Sequence, residues 1–114
     1  MIQIDPLTYL VGAQENVEVE VEAVQTGNTT GFSVDGEDIP PDAGVIPRTF
    51  SFQVSVGPGL THFGTVDCHF DNSAPDTAQF RIFVSGDQGG GRFTGPVVKK
   101  THSLQSRDLE FRRS

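Results

Sequence analysis

The sequence predicts an all-β protein: an antiparallel β-sandwich of seven to eight strands, immunoglobulin-like in topology, with a jelly roll or small barrel as the alternative. Three observations carry that expectation. Apolar and polar residues alternate with a period of two in four separate stretches, the signature of half-buried strands. The apolar material is mostly Val and Phe (nine Phe, one Tyr, no Trp), and β-branched and aromatic side chains suit a pleated surface. Thirteen Gly and seven Pro fall between the apolar runs, where turns must join short strands.

The elements follow in order. Leu7 to Val11 is a weak strand candidate. Residues 17 to 24 alternate strictly: Val17, Val19, Val21 and Ala23 face one way, Glu18, Glu20 and Glu22 the other. Gly31 to Val34 is again weak, and the proline-containing stretch Glu37 to Pro47 reads as an irregular crossover between sheets. Phe50, Phe52, Val54 and Val56 share a face in Arg48 to Val56. Val66, Cys68 and Phe70 share one in His62 to Phe70, opposite Thr65, Asp67 and His69. Phe80, Ile82 and Val84 do the same in Ala78 to Ser85. Arg92 to Val98 and part of Lys99 to Phe111 complete the set. Turn chemistry punctuates these runs at Thr26-Gly27-Asn28, Val34-Asp35-Gly36, Gly57-Pro58-Gly59, Asp71 to Asp76 and Gly86 to Gly91.

At 114 residues the chain is one domain's worth. Residues 1–105 are expected to form that domain. Leu104 to Arg113 fits neither period cleanly; residues 106–114 read as a C-terminal tail, with a bulged last strand or a frayed helix as alternatives and Ser106 to Phe111 as residual vector sequence as another. The paired Cys and buried Trp of antibody-type domains are lacking. Cys68 is the single cysteine, so no internal disulfide forms. No stretch has the charge and apolar run of a signal peptide, and none approaches the roughly 18 apolar residues that span a bilayer. The compartment is left open.

Net charge is −7, which disfavours nucleic acid as a partner because phosphate binding needs clustered Lys and Arg. The charge is also asymmetric. Residues 1–47 hold nine acids and no Lys or Arg; all eight basic residues lie beyond. Complementary pairing across strands is the plain reading of that asymmetry. Three carboxylates along one strand face lie about 7 Å apart and repel, so a neighbour must supply cations. Lys99, Lys100 and Arg107 are the internal candidates. The structural reading of the stripe is an acidic strand guarding a sheet edge; the functional reading makes Glu18, Glu20 and Glu22 a docking face for a basic partner.

Specific chemistry is sparse. His62, Cys68 and His69 cluster in sequence, but Cys68 and His69 point to opposite faces and His62 lies about 20 Å from Cys68 along a strand, too far to share a zinc ion. Cys68 reads as a core residue. Asp67 and His69 share a face with no Ser placed to join them, and there is no nucleophile elbow. The run Gly86 to Arg92 lacks the spacing of a phosphate loop and reads as a hairpin loop. Calcium is the one cofactor expectation. Asp35 and Asp38 lie near one turn, Asp71 and Asp76 in another, and two intervening strands return the chain to the same end, so these acids are expected to converge at one pole. Solvated loop acids are the plain alternative. Phe83, on the polar face of its strand, and Phe63 are the aromatics a saccharide would use. Asn28-Thr29-Thr30 matches the N-glycosylation acceptor.

The reading is therefore a non-catalytic binding or structural module contacting a protein partner or neighbouring domain. A calcium- or carbohydrate-binding module is the alternative. No membrane contact is expected, and a homo-oligomer joined through an edge strand is a further partner reading.

Overall fold

The computed structural model describes residues 1–27, 30–42 and 48–113. Among the described residues there are ten strands: β1 (Ile2–Asp5), β2 (Thr8–Val11), β3 (Val17–Val24), β4 (Gly31–Val34), β5 (Glu37–Ile39), β6 (Thr49–Val54), β7 (Thr61–His69), β8 (Gln79–Gly86), β9 (Arg92–Lys99) and β10 (Leu104–Arg113). They form two packed sheets, a six-stranded one in the order β1-β2-β10-β7-β4-β5 and a four-stranded one in the order β6-β3-β8-β9. This is a β-sandwich with two more strands than the upper expectation. It is not wholly antiparallel, because β10 runs parallel to β2, pairing Phe111 with Tyr9.

The extra strands have identifiable causes. β5 lies in the stretch expected to be irregular. Asp35 (φ 51°) and Gly36 (φ 82°) both take positive φ, the requirement of a two-residue type I′ hairpin turn, and so fold Glu37–Ile39 back onto β4. β1 precedes the first expected strand and pairs with β2 through a bulge near Ile4. The last ten described residues are β10, a central strand between β2 and β7, so the expected boundary at residue 105 falls inside a strand. Its pattern looked irregular because only its end is buried: Leu109 and Phe111 face the core, whereas Leu104 to Asp108 are mostly exposed.

Parity holds where it was strongest. Val17, Val19 and Val21 are fully buried, as are Phe80, Ile82 and Val84 on the neighbouring β8, where Val84 faces Val19, Ile82 faces Val21 and Phe80 faces Ala23. Four rings from both sheets meet at the centre: Phe80 lies 5.0 Å from Phe70 edge-on, 6.2 Å from Phe32 and 6.4 Å from Phe50. Replacing Phe80 removes the ring common to all three contacts and leaves a closed void. Phe80→Ala is expected to cost about 3–5 kcal/mol, read as a lowered urea midpoint. A loss below about 1 kcal/mol would mean that this ring does not join the two sheets.

Candidate functional site

The glutamate stripe lies on the outer face of the four-stranded sheet. β3 is flanked on both sides, so it guards no edge. Each carboxylate meets a cross-strand partner. Glu18 accepts from Gln53 Nε2 at 2.9 Å, Glu20 lies 3.4 Å from Arg92 and Glu22 3.4 Å from Arg81. The cations thus come from β8 and β9 rather than from Lys99, Lys100 or Arg107. Lys99 sits opposite Gln79 on β9. Lys100 Nζ donates to the carbonyls of Asp71 and Ala74, at 3.2 and 2.6 Å. Arg107 belongs to the other sheet. The pairing of the acidic first part with the basic second part is realised here. Arg81 and Arg92 are both nearly half exposed, so these ion pairs are screened and contribute little stability.

The acidic loops do not meet at one pole. Asp35 sits beside Thr65, with its N–H donating to the Thr65 carbonyl and its Oδ1 accepting from Thr65 N–H, both at 2.9 Å. Asp71 follows the far end of β7, six residues on, about 20 Å away at ~3.3 Å per residue. The sequence expectation missed this because the β4–β5 hairpin folds Asp35 back along β7 instead of leaving it in a crossover. Asp38 lies on β5 opposite Ser33, and Asp76 is exposed in the loop before β8. Asp71 instead organises its own turn, its Oδ1 accepting from the N–H and Oγ of Ser73 at 2.9 Å. Among the described residues, no three His, Cys, Asp or Glu side chains come together as a metal site. Residues 28 and 29 of the glycosylation motif lie outside the described residues.

Across the outer face of the six-stranded sheet, Ser33, Asp67 and Ser106 align in one cross-strand row. His69 Nε2 contacts Ser33 Oγ at 3.3 Å, and Ser106 donates to Asp67. Sequence reasoning found no serine for His69 or Asp67 because register, not spacing, chooses these partners. Ser33 is 4 % exposed, so its hydroxyl fixes neighbouring strands rather than facing a substrate. Phe83 is capped by the Arg92 guanidinium, 3.6 Å from the ring centre, which denies a saccharide that face. Phe63 remains 63 % exposed.

Cys68 is fully buried, as the alternation requires, and burial pushes its thiol up to about 12. It is expected to be inert to a thiol-disulfide indicator at pH 8 in the folded protein and to react at once in 6 M guanidinium. Rapid native labelling would show that this part of the core opens.

A buried ionic centre, not foreseen, lies at one end of the sandwich. Glu15 is 1 % exposed. Its carboxylate receives the Met1 α-ammonium at 3.0 Å and the Gly12 N–H at 3.0 Å. Burial alone would raise its pKa, but these donors hold it below the ordinary value. Arg113 closes the same end, its guanidinium reaching the carbonyls of Val56, Gly12 and Glu15 at 2.7, 2.5 and 2.7 Å. A signal existed: Glu15 has the parity of Val17, Val19 and Val21, so the alternation extended one step puts a carboxylate on the core side.

Two clefts open along the side of the sandwich where β5 and β6, edge strands of different sheets, lie side by side: one beside Asp38, Pro41 and Phe50, the other further along β6. The second is the more open to an added strand. It has a volume of about 420 Å³ and is floored by Val34, Ile39, Phe52 and Val54, with Asp35, Glu37 and His62 on its rim. His62 Nε2 lies 3.8 Å from Asp35. Among the described residues between β5 and β6, Pro41 bridges Phe50 and Asp42 N–H donates to the Thr49 carbonyl at 2.7 Å, both at the first part of β6. Asp42 also accepts from the hydroxyls of Thr49 and Ser51, at 3.0 and 2.7 Å. Compared with known proteins, the chain has no match among family models, curated proteins or solved structures.

Proposed function

We propose that this β-sandwich is a non-catalytic module that binds a protein partner or a neighbouring domain, on an immunoglobulin-like framework. The repeated passage of the chain between sheets, at β2 to β3, β3 to β4, β5 to β6, β6 to β7, β7 to β8 and β9 to β10, supports that framework. The observation that carries the binding reading is the edge of β6. Thr49–Val54 contains no charge and no proline, and on the side away from β3 no strand among the described residues pairs with it beyond the Pro41–Phe50 bridge. The other edges have guards: β5 is three residues long with two acids, β9 carries Pro96, Arg92 and Lys99, and β1 is short and bulged. The glutamate stripe is the weaker candidate, because its carboxylates already have partners. No helix among the described residues is long and apolar enough to cross a membrane. The −7 net charge favours a partner that is not nucleic acid.

Site-specific photocrosslinking tests the reading. A benzophenone side chain placed singly at positions 20, 53, 63 and 97 samples both outer faces and the β6 edge. Discrete protein adducts from at least one position in producing cells are expected. Their absence from all four would end the binding-module reading.

A further inference from the structure

We propose that the open half of β6 receives an extended, cationic peptide segment from another chain, which adds as a fifth strand to the four-stranded sheet. This rests on the binding-module reading and gives it a site and a partner chemistry.

The backbone geometry sets the site. In the antiparallel β3–β6 pair, the Ala23 N–H donates to the Arg48 carbonyl at 2.9 Å. Hydrogen-bonding direction alternates along such a strand, so Phe50, Phe52 and Val54 also turn their backbone groups towards β3. Thr49, Ser51, Gln53 and Ser55 then turn theirs to the open side. The Asp42–Thr49 bond lies on that side, as this alternation requires. Beyond it, the Gln53 N–H and C=O and the Ser55 N–H point along the cleft edge. An added strand of four or five residues would satisfy them, which is the backbone half of β-strand addition.

Side-chain chemistry sets the occupant. Alternate residues of an added strand point between the sheets, over Phe52, Val34 and Ile39, and call for apolar side chains. The intervening residues point outward beside Gln53, with Glu18 one strand beyond it, and the ends of the segment lie along the rim that carries Asp35 and Glu37. Lysine or arginine suits those positions. A second copy of this chain does not: a two-fold pairing centred on Gln53 would bring the acidic rims of two molecules together, each of net charge −7.

The probe is acetyl-Lys-Val-Lys-Val-Lys-Val-amide, with acetyl-Glu-Val-Glu-Val-Glu-Val-amide as its charge-reversed control. Amide hydrogen exchange by NMR at low salt is expected to show protection of Gln53 and Ser55 by the basic peptide and none by the acidic one. Asp35→Asn with Glu37→Gln should weaken binding about tenfold, the effect of losing roughly 1.4 kcal/mol of attraction. Gln53→Pro removes the outward N–H without touching the β3 ladder and should abolish binding; Gln53→Ala keeps the N–H and should retain it. If Gln53→Pro does not fold, the charge variant and the two peptides decide the matter. Unprotected Gln53 and Ser55, or equal protection by the acidic peptide, overturns the proposal. So does concentration-dependent dimerisation that protects the same amides without peptide, since the occupant would then be a second copy. Peptide failure with crosslinks at position 20 or 63 would remove this site while leaving a binding module elsewhere on the surface.

Discussion

A chain ending at Gln105 is expected not to fold. Residues 104–113 are β10, paired residue for residue with β7 from Leu104–His69 to Arg112–Thr61 and in parallel with β2 from Thr8 to Val11. Without it, β1 and β2 lose the ladder that, among the described residues, joins them to the rest of the six-stranded sheet. Leu109 and Phe111, each 1 % exposed, leave the core, and the Phe111 ring no longer stacks on Tyr9 at 5.4 Å. Losing two such side chains costs about 2–5 and 3–5 kcal/mol in single substitutions, against a total domain stability of about 5–15 kcal/mol. The truncated chain should show a collapsed amide dispersion and no cooperative urea transition. In the full-length chain, Leu109→Ala with Phe111→Ala should lower the midpoint by the greater part of the total. A truncated chain that still unfolds cooperatively would show that β10 is an accessory and not a central strand.

Breaking the Glu15 centre is expected to have the next largest effect. Glu15→Gln keeps the shape and removes the charge, leaving the Met1 ammonium buried without its counterion. Loss of one partner of a buried pair costs about 3–5 kcal/mol, because the remaining charge is stranded. The pH dependence has a definite sign. The folded Glu15 pKa is held below its ordinary value of 4.5. Its contribution is therefore complete above about pH 4.5 and disappears as pH falls through the lower folded value. Urea midpoints measured from pH 7 to pH 2 should fall in that acid window, and Glu15→Gln should flatten that part of the profile. Gly86→Ala attacks the same centre sterically, since a Cβ there would overlap the Glu15 carboxylate. An unchanged acid profile in Glu15→Gln would mean that other carboxylates govern acid unfolding.

Local alternation made the interior legible. Strict period two in Val17–Val24 and in Phe80, Ile82 and Val84 identified buried faces, because each side chain's direction follows from its immediate neighbours along an extended backbone. Cys68 followed from the same parity. The turn at Asp35-Gly36 was legible too, but the strand after it was not, because Glu37–Ile39 is three residues long, carries two acids and shows no alternation of its own.

Partnership was not legible. Parity says that Glu20 faces water but not that Arg92 comes to it from β9. It puts His69 and Asp67 on one face but does not say that Ser33 and Ser106 stand beside them. The acidic pole failed for the same reason: its premise was the path of the chain, which the hairpin reversed.

The sequence by itself determined a two-sheet all-β protein, its core residues and its segregated charge, because these depend on residue type and on the two-residue repeat of a strand. Only the tertiary structure decided which strands are neighbours, which edge is open and where the buried carboxylate finds its counterion. Those are long-range pairings, set by how two twisted sheets stack, and the same local pattern is compatible with many of them.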